Sequence, residues 1–157
     1  LIQERENLRR QGVEVRVFGE LDRLPAGARA AIERMEEATR GGGSMRLNLM
    51  ISYSGRAELV RAARRLAERV RSGLLTPDQI DEAAVAGELY TAGLPDPDLL
   101  IRTSGEQRIS NFMPWQLAYT ELYLSPILWP DFRREHLFCA IHDFQKRERR
   151  FGRVTAV

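Results

Sequence analysis

Six residues, Asp98 to Thr103 (DLLIRT), constrain this chain more than any other stretch. Pro95 and Pro97 bar a regular helix before them and Gly105 turns the chain after them, while the interval is too short for a helix and nearly all apolar at its centre. A run of that kind suits a strand covered on both faces, as the strands of a parallel sheet are. Parallel neighbours cannot be joined by a hairpin; each connection needs a crossover of a dozen or more residues, usually a helix. The rest of the chain must therefore alternate strands with helices.

Residues 1–11 read as the last turns of a helix closed by Gly12. Val13, Val15 and Val17 then alternate with Glu14 and Arg16, the period of a strand, which stops at Gly19. Pro25 stands at a favourable first-turn position, and Ala28 to Thr39 is rich in helix formers and ends in Gly41-Gly42-Gly43. That triple glycine follows a helix, not a strand, so it reads as a loop and not as a phosphate cradle. Arg46 to Tyr53 (RLNLMISY) predicts a second strand. The helix after Ser54-Gly55 is expected to bury Leu59, Val60, Ala63, Leu66, Ala67 and Val70 as one stripe and to stop at Gly73. Thr76-Pro77-Asp78-Gln79 has the form of a capping box with proline at the first helical position, predicting a helix through Leu89. Beyond the irregular residues 104–116, Leu122 to Leu124 predicts another strand, and Pro130 opens a last helix carrying Leu137, Ile141 and Phe144. The expected fold class is α/β, a single domain over residues 1–157 with a largely parallel central sheet flanked by helices. A length of 157 residues suits one such domain.

Several classes drop out on composition. No apolar run approaches the ~20 residues of a bilayer span, and Leu1-Ile2-Gln3-Glu4-Arg5 lacks a signal pattern, so a cytoplasmic location is expected. The single cysteine, Cys139, excludes an intrachain disulfide framework and a cysteine-rich zinc site, and beside Phe138 and Ile141 it is expected in the core. Arginine makes up 23 of the 24 basic residues, yet the net charge is only +2, which is weak ground for nucleic acid; none is expected as a partner.

The informative chemistry follows the DLLIRT strand. Ligands in open α/β sheets bind at the carboxyl ends of strands, and this end delivers Arg102, Thr103, Ser104, Gly105, Arg108 and Ser110 in nine residues. Arginine presents a planar fork of donors that matches phosphate oxygens, and in an extended segment the Ser110 hydroxyl would lie on the same side as Arg108. The competing reading pairs Arg102 with Glu106 or Asp98 to stiffen the loop, and on spacing alone it is the heavier of the two. Asp96 and Asp98 could be a divalent-metal pair, but their prolines favour a turn. His136 and His142 lie about 240° apart round a helix and cannot share a metal. Met45, Met50, Phe112, Met113 and Trp115 could line an apolar pocket, although such a set more often means ordinary core.

Residues 95–132, PDPDLLIRTSGEQRISNFMPWQLAYTELYLSPILWPDF, resemble the signature of the cis-prenyltransferase family. The resemblance extends upstream through Ser52-Tyr53-Ser54-Gly55-Arg56, similar to the family's Asn-Tyr-Gly-Gly-Arg turn, and downstream to Arg149-Arg150-Phe151-Gly152. It implies an enzyme that elongates an allylic diphosphate such as farnesyl diphosphate with isopentenyl diphosphate, forming Z double bonds in a polyprenyl diphosphate such as undecaprenyl diphosphate. Magnesium would be the cofactor, a homodimer the usual assembly, and the lipid product a reason to sit at the membrane surface. By match of position Arg102, Arg108 and Ser110 would hold the diphosphate of isopentenyl diphosphate, Arg150 and Gly152 would belong to a terminal Arg-x-Gly element that reaches the partner's active site, and Glu121 would contribute to magnesium. On spacing alone Glu121 would sooner pair with an arginine; the resemblance favours the metal. A hydrocarbon product also requires an apolar tunnel, for which Leu47, Leu49, Met50 and Ile51 are candidate walls and Met45 a candidate for the far end.

Three departures stand out. Gln107 replaces a histidine common in the family, and Ser52 and Ser54 replace the Asn and Gly of the upstream turn. The family's Asp-Gly-Asn-Gly-Arg loop, with its essential aspartate, is not found in the sequence and lies in the family before the point resembling Leu1. The chain is therefore expected to be the C-terminal, larger part of a single synthase domain, inactive by itself, its catalytic aspartate residing in that earlier segment. The alternative from another class is a non-catalytic partner subunit, against which the complete RTSGEQRISNF run argues.

Overall fold

The computed structural model describes residues 4–147; Arg150 and Gly152 lie outside the described residues. The chain divides into two compact units, Leu1–Gly93 and Leu94–Val157. The architecture is α/β with parallel strands, as expected, and the described strands form two parallel pairs, one in each unit.

In the first unit, α1 (Arg5–Arg10) leads through Gly12, at φ 68, into β1 (Val13–Phe18). The helix α2 (Ala26–Thr39) then crosses over to β2 (Met45–Met50), which pairs with β1 so that Val15 faces Leu47 and Val17 faces Leu49. Val15, Val17, Ile32 and Met35 form the buried cluster, with Leu8, Leu21, Leu24, Leu47, Leu49 and Ile51 packed against it. Two side chains of α2 also serve the backbone of β1: the Val15 N–H donates to Thr39 Oγ1 at 3.1 Å and the Val17 N–H to Glu36 Oε1 at 2.8 Å. Within the triple glycine Gly42 has a steric reason, because a Cβ there would stand 2.6 Å from the Gly12 carbonyl oxygen, and Gly41 a conformational one at φ 77.

The helix α3 (Gly55–Arg71) starts on Ser54, whose hydroxyl accepts from the Ala57 N–H at 3.3 Å. Its buried line is not the expected one. Gly55, Glu58, Ala62 and Leu66 are inside, whereas Val60, Ala63 and Ala67 are exposed. The cause is Glu58, 1% exposed: its carboxylate accepts from the Tyr53 hydroxyl at 2.6 Å and the Tyr90 N–H at 2.7 Å, which turns that face inward. Burying an acid is costly unless donors meet it, and here both come from fixed neighbours. Glu88, also buried, takes Arg65 Nε and Arg69 Nη1, each at 3.0 Å. The helix predicted through Leu89 is shorter. Thr76 to Gln79 forms its capping box on a single 3-10 turn, and a second cap, Asp81 Oδ1 accepting from the Ala84 N–H at 2.7 Å, opens α4 (Glu82–Ala86).

In the second unit, β3 (Leu99–Arg102) pairs in parallel with β4 (Glu121–Leu124), Leu99 facing Glu121 and Arg102 facing Leu124. Pro130 sits in a 3-10 turn, Trp129–Asp131, and does not open the last helix; α5 (Arg134–Gln145) begins at Arg133, whose N–H donates to His136 Nδ1 at 2.9 Å. His136 thus serves as a cap. Cys139 is exposed, contrary to the expectation of a core position, because the buried residue of α5 is its neighbour Ala140. No described helix is long and apolar enough to cross a membrane.

Candidate functional site

The segment leaving β3 is held in an unusual backbone conformation. Ser104, Gly105, Ser110, Asn111 and Met113 have φ of 66, 67, 48, 62 and 46, the left-handed region that non-glycine residues seldom enter. Each such residue costs of order 1–3 kcal/mol and persists only where the surroundings impose it. Here the imposition is visible: the Ser104 N–H donates to the Ile127 carbonyl at 2.8 Å, the Gly105 N–H to the Ser125 carbonyl at 2.9 Å, and the Ser125 N–H to the Arg102 carbonyl at 2.8 Å. The chain beyond β4 therefore clamps the chain beyond β3.

The clamped loop borders a cavity of about 600 Å³ lined by Leu100, Arg102, Thr103, Ser104, Glu106 and, on the apolar side, Ile109, Phe112 and Trp129. Of the five residues expected as an apolar pocket, only Phe112 lines it. Met113 is buried, and Trp129, which sequence reasoning missed because it sits in a proline turn without periodicity, is 73% exposed. The tunnel wall expected along the second strand divides as well: Leu47, Leu49 and Ile51 pack on the first unit's core, while Met50 alternates to the other face.

Arg102 is the polar centre of the cavity. Its Nη2 donates to Ser110 Oγ at 3.3 Å, whereas its Nε is buried without any acceptor, and among the described residues no carboxylate pairs with it. A buried orphaned donor costs about 1–3 kcal/mol. The pairing with Glu106 is made instead by Arg108, whose side chain is 71% exposed. Ser110 does not share an extended face with Arg108, since φ 48 turns the chain there; it meets Arg102 instead. Arg102 and Ser110 are thus brought together, and Arg108 stands beside them on an exposed tether.

Glu121, at the start of β4, is held by Arg147 Nη1 at 2.8 Å, and the same guanidinium bonds Asp143 Oδ2 at 2.5 Å. The hydrogen bond that Arg147 donates to Glu121, ahead of those it donates to Asp143, raises the Arg147 pKa above its ordinary value. The arginine alternative for Glu121 therefore has a partner, and it comes from the same chain, 26 residues away, where no local pattern could announce it. As an oxygen donor a third exposed, Glu121 still has the chemistry of one magnesium ligand, with Arg147 as the cation a metal would displace. Asp96 and Asp98 are exposed, and no group of three or more potential ligands lies together among the described residues.

Comparison with known proteins places these features in a family. The family model described as "Putative undecaprenyl diphosphate synthase" matches residues 1–152. An isoprenyl transferase of Chlorobaculum tepidum is 49% identical over 143 residues, covering 91% of this chain and 54% of the relative. A Methanopyrus kandleri protein named tritrans,polycis-undecaprenyl-diphosphate synthase (geranylgeranyl-diphosphate specific) is 48% identical over 150 residues, 96% of this chain and 55% of its own length. The chain thus spans about half the length of the curated relatives it matches. The crystal structure of lavandulyl diphosphate synthase from Lavandula x intermedia with dimethylallyl diphosphate superposes with a TM-score of 0.91 at 40% identity, over 95% of this chain and 64% of that one. A probable undecaprenyl diphosphate synthase from Campylobacter jejuni gives 0.82 at 33% identity, over 97% and 69%.

Proposed function

Since the chain belongs to the prenyltransferase family of undecaprenyl diphosphate synthases, we propose that the protein it represents elongates an allylic diphosphate with isopentenyl diphosphate, and that the Arg102 cavity takes the isopentenyl diphosphate. The observation that supports this reading is the buried Nε of Arg102, a donor without an acceptor at the polar side of a cavity whose other side is apolar. A five-carbon diphosphate ester has the same two-ended character.

In this reading the Arg102 guanidinium and the Ser110 hydroxyl receive diphosphate oxygens, and Arg108 exchanges Glu106 for the same group. Leu100, Ile109, Phe112 and Trp129 face the hydrocarbon. Anchoring one end leaves the homoallylic double bond free to attack the allylic carbon as its diphosphate departs, the new double bond forming as a C2 proton of isopentenyl diphosphate is lost to a diphosphate oxygen or solvent, so positioning supplies much of the catalysis. Magnesium, held in part by Glu121, would stabilise the departing diphosphate as the allylic carbon–oxygen bond breaks. Arg150 and Gly152 would complete the phosphate site in a homodimer, and the lipid product would bring the enzyme to a membrane surface. The catalytic aspartate is expected on the family's Asp-Gly-Asn-Gly-Arg loop, so these 157 residues alone are expected to give no extended product from farnesyl diphosphate and labelled isopentenyl diphosphate.

Arg102→Ala and Arg108→Ala in the complete protein test the assignment. Loss of a charge-assisted contact, about 1.5–3 kcal/mol, should lower kcat/KM for isopentenyl diphosphate roughly 10- to 150-fold with the fold retained. Wild-type kinetics in both folded variants would refute it. Glu121→Gln tests the metal role: the magnesium needed for half-maximal activity should rise, and an unchanged magnesium response would leave Glu121 as the partner of Arg147 alone.

A further inference from the structure

We propose that the first unit carries an anion site of its own, a pocket for a diphosphate group at the carboxyl ends of β1 and β2. The two strand pairs end alike. β3 ends on an arginine, Arg102, whose Nε is buried without an acceptor, and a serine in the left-handed region, Ser104 at φ 66, follows it. Beyond β2 stands Ser52 at φ 52, and the following helix brings Arg61, whose Nε is likewise buried without an acceptor. Gly19, just past β1, approaches so closely that a Cβ there would lie 2.0 Å from the Ile51 carbonyl oxygen.

Next to this crossing lies a cavity of about 770 Å³, within the size range of small-ligand sites. Arg23, Arg56, Arg61 and Arg64 contribute to its lining, with Val60 and Tyr90 as its apolar part. Residues 56, 60 and 64 follow one helical row and 57 and 61 the next, so α3 presents its cations as a single face. Two carboxylates share the lining: Glu20 pairs with Arg23 at 2.7 Å, although its buried Oε2 has no hydrogen-bond partner, and the fully exposed Asp22 lies 3.7 Å from Arg29, leaving the arginines in excess. Arg61 is fixed in place: its guanidinium lies 3.9 Å over the Tyr90 ring and its Nη2 donates to the Glu88 carbonyl at 2.9 Å. Glu88 is itself held by Arg65 and Arg69. A preorganised guanidinium, an exposed Arg64 on the next turn and the amino end of a 17-residue helix are matched by a diphosphate group. The half-exposed Val60 then has a reason for facing out of the core, as part of the pocket wall.

This site stands on residues of the first unit alone, so it is testable apart from the Arg102 reading. Binding of inorganic diphosphate is measured by calorimetry in the Arg102→Ala, Arg108→Ala double variant. Saturable binding is expected to persist there, to weaken at least about tenfold when Arg64→Ala is added, and to recover in part with Arg64→Lys, all at unchanged circular dichroism. Absence of binding in the double variant, or binding indifferent to Arg64→Ala, would overturn the site. The first of these outcomes would leave the Arg102 assignment standing, whereas full wild-type binding in the double variant that Arg64→Ala abolishes would remove the Arg102 assignment and keep this one.

Discussion

Replacing Glu58 with alanine should cost the first unit about 3–5 kcal/mol. The side chain is 1% exposed, and its hydrogen bonds include those from the Tyr53 hydroxyl at 2.6 Å and the Tyr90 N–H at 2.7 Å. Bonds to a charged acceptor contribute about 1.5–3 kcal/mol each, for a gross loss of roughly 3–6. Relief from burying a carboxylate offsets part of it, but Tyr90 N–H is left without its acceptor, and breaking a buried charged network generally costs about 3–5. Glu58→Gln should cost less, about 1–3 kcal/mol, because the amide oxygen can serve Tyr90 while the amide nitrogen donates to the Tyr53 oxygen. Tyr53→Phe should cost one bond's worth and become nearly silent once Glu58 is alanine. Urea unfolding followed by circular dichroism reads these differences as midpoint shifts at constant slope. By the scaling for a chain of this size, Glu58→Ala would lower Tm by roughly 6–20 °C. An alanine variant within about 1 kcal/mol of wild type at equal slope would refute the claim that this acid fixes the inward face of α3.

Gly19→Ala should destabilise by about 3 kcal/mol or more, from both the φ of 138 and the clash with the Ile51 carbonyl; a variant melting with wild type would contradict the close approach. The Arg46 guanidinium first, and Arg16 after it, hold the Glu14 carboxyl below its ordinary value. A depressed carboxyl contributes stability that is full above the ordinary carboxylate range and lost as pH falls through the folded value, so the stability gap between wild type and Glu14→Gln should close on acidification. A gap that stays constant down to about pH 2 would remove that contribution.

The strands and the starts of α2 and α3 are legible because they rest on short-range rules. Val13, Val15 and Val17 alternate, Gly12 and Gly73 close helices, and the apolar centre of DLLIRT needed no context. Much of what failed was set by partners distant in sequence. The buried line of α3 follows Glu58, and that carboxylate is satisfied by Tyr90, 32 residues on. Ser110 turns away from Arg108 because the chain makes a tight turn there, the Phe112 N–H bonding the Ile109 carbonyl, and Glu121 meets Arg147 just past a helix whose register no pattern tied to β4. Cys139 was misjudged for a smaller reason: one step along a helix is a rotation of about 100°, enough to put Ala140 inside and its neighbour out.

The two bonds that α2 lends to β1 give the first strand pair a direction of growth. An unpaired strand edge is a template on which any extended chain can register. On the outer side of β1 that template is spoiled, because the Val15 and Val17 N–H groups already belong to a threonine hydroxyl and a glutamate carboxylate. Among the described residues β2 pairs only with β1, and none of its backbone donors is taken by a side chain of α2 in the way those of β1 are. Thr39 and Glu36 therefore occupy two of the donors that a strand on the outer side of β1 would need.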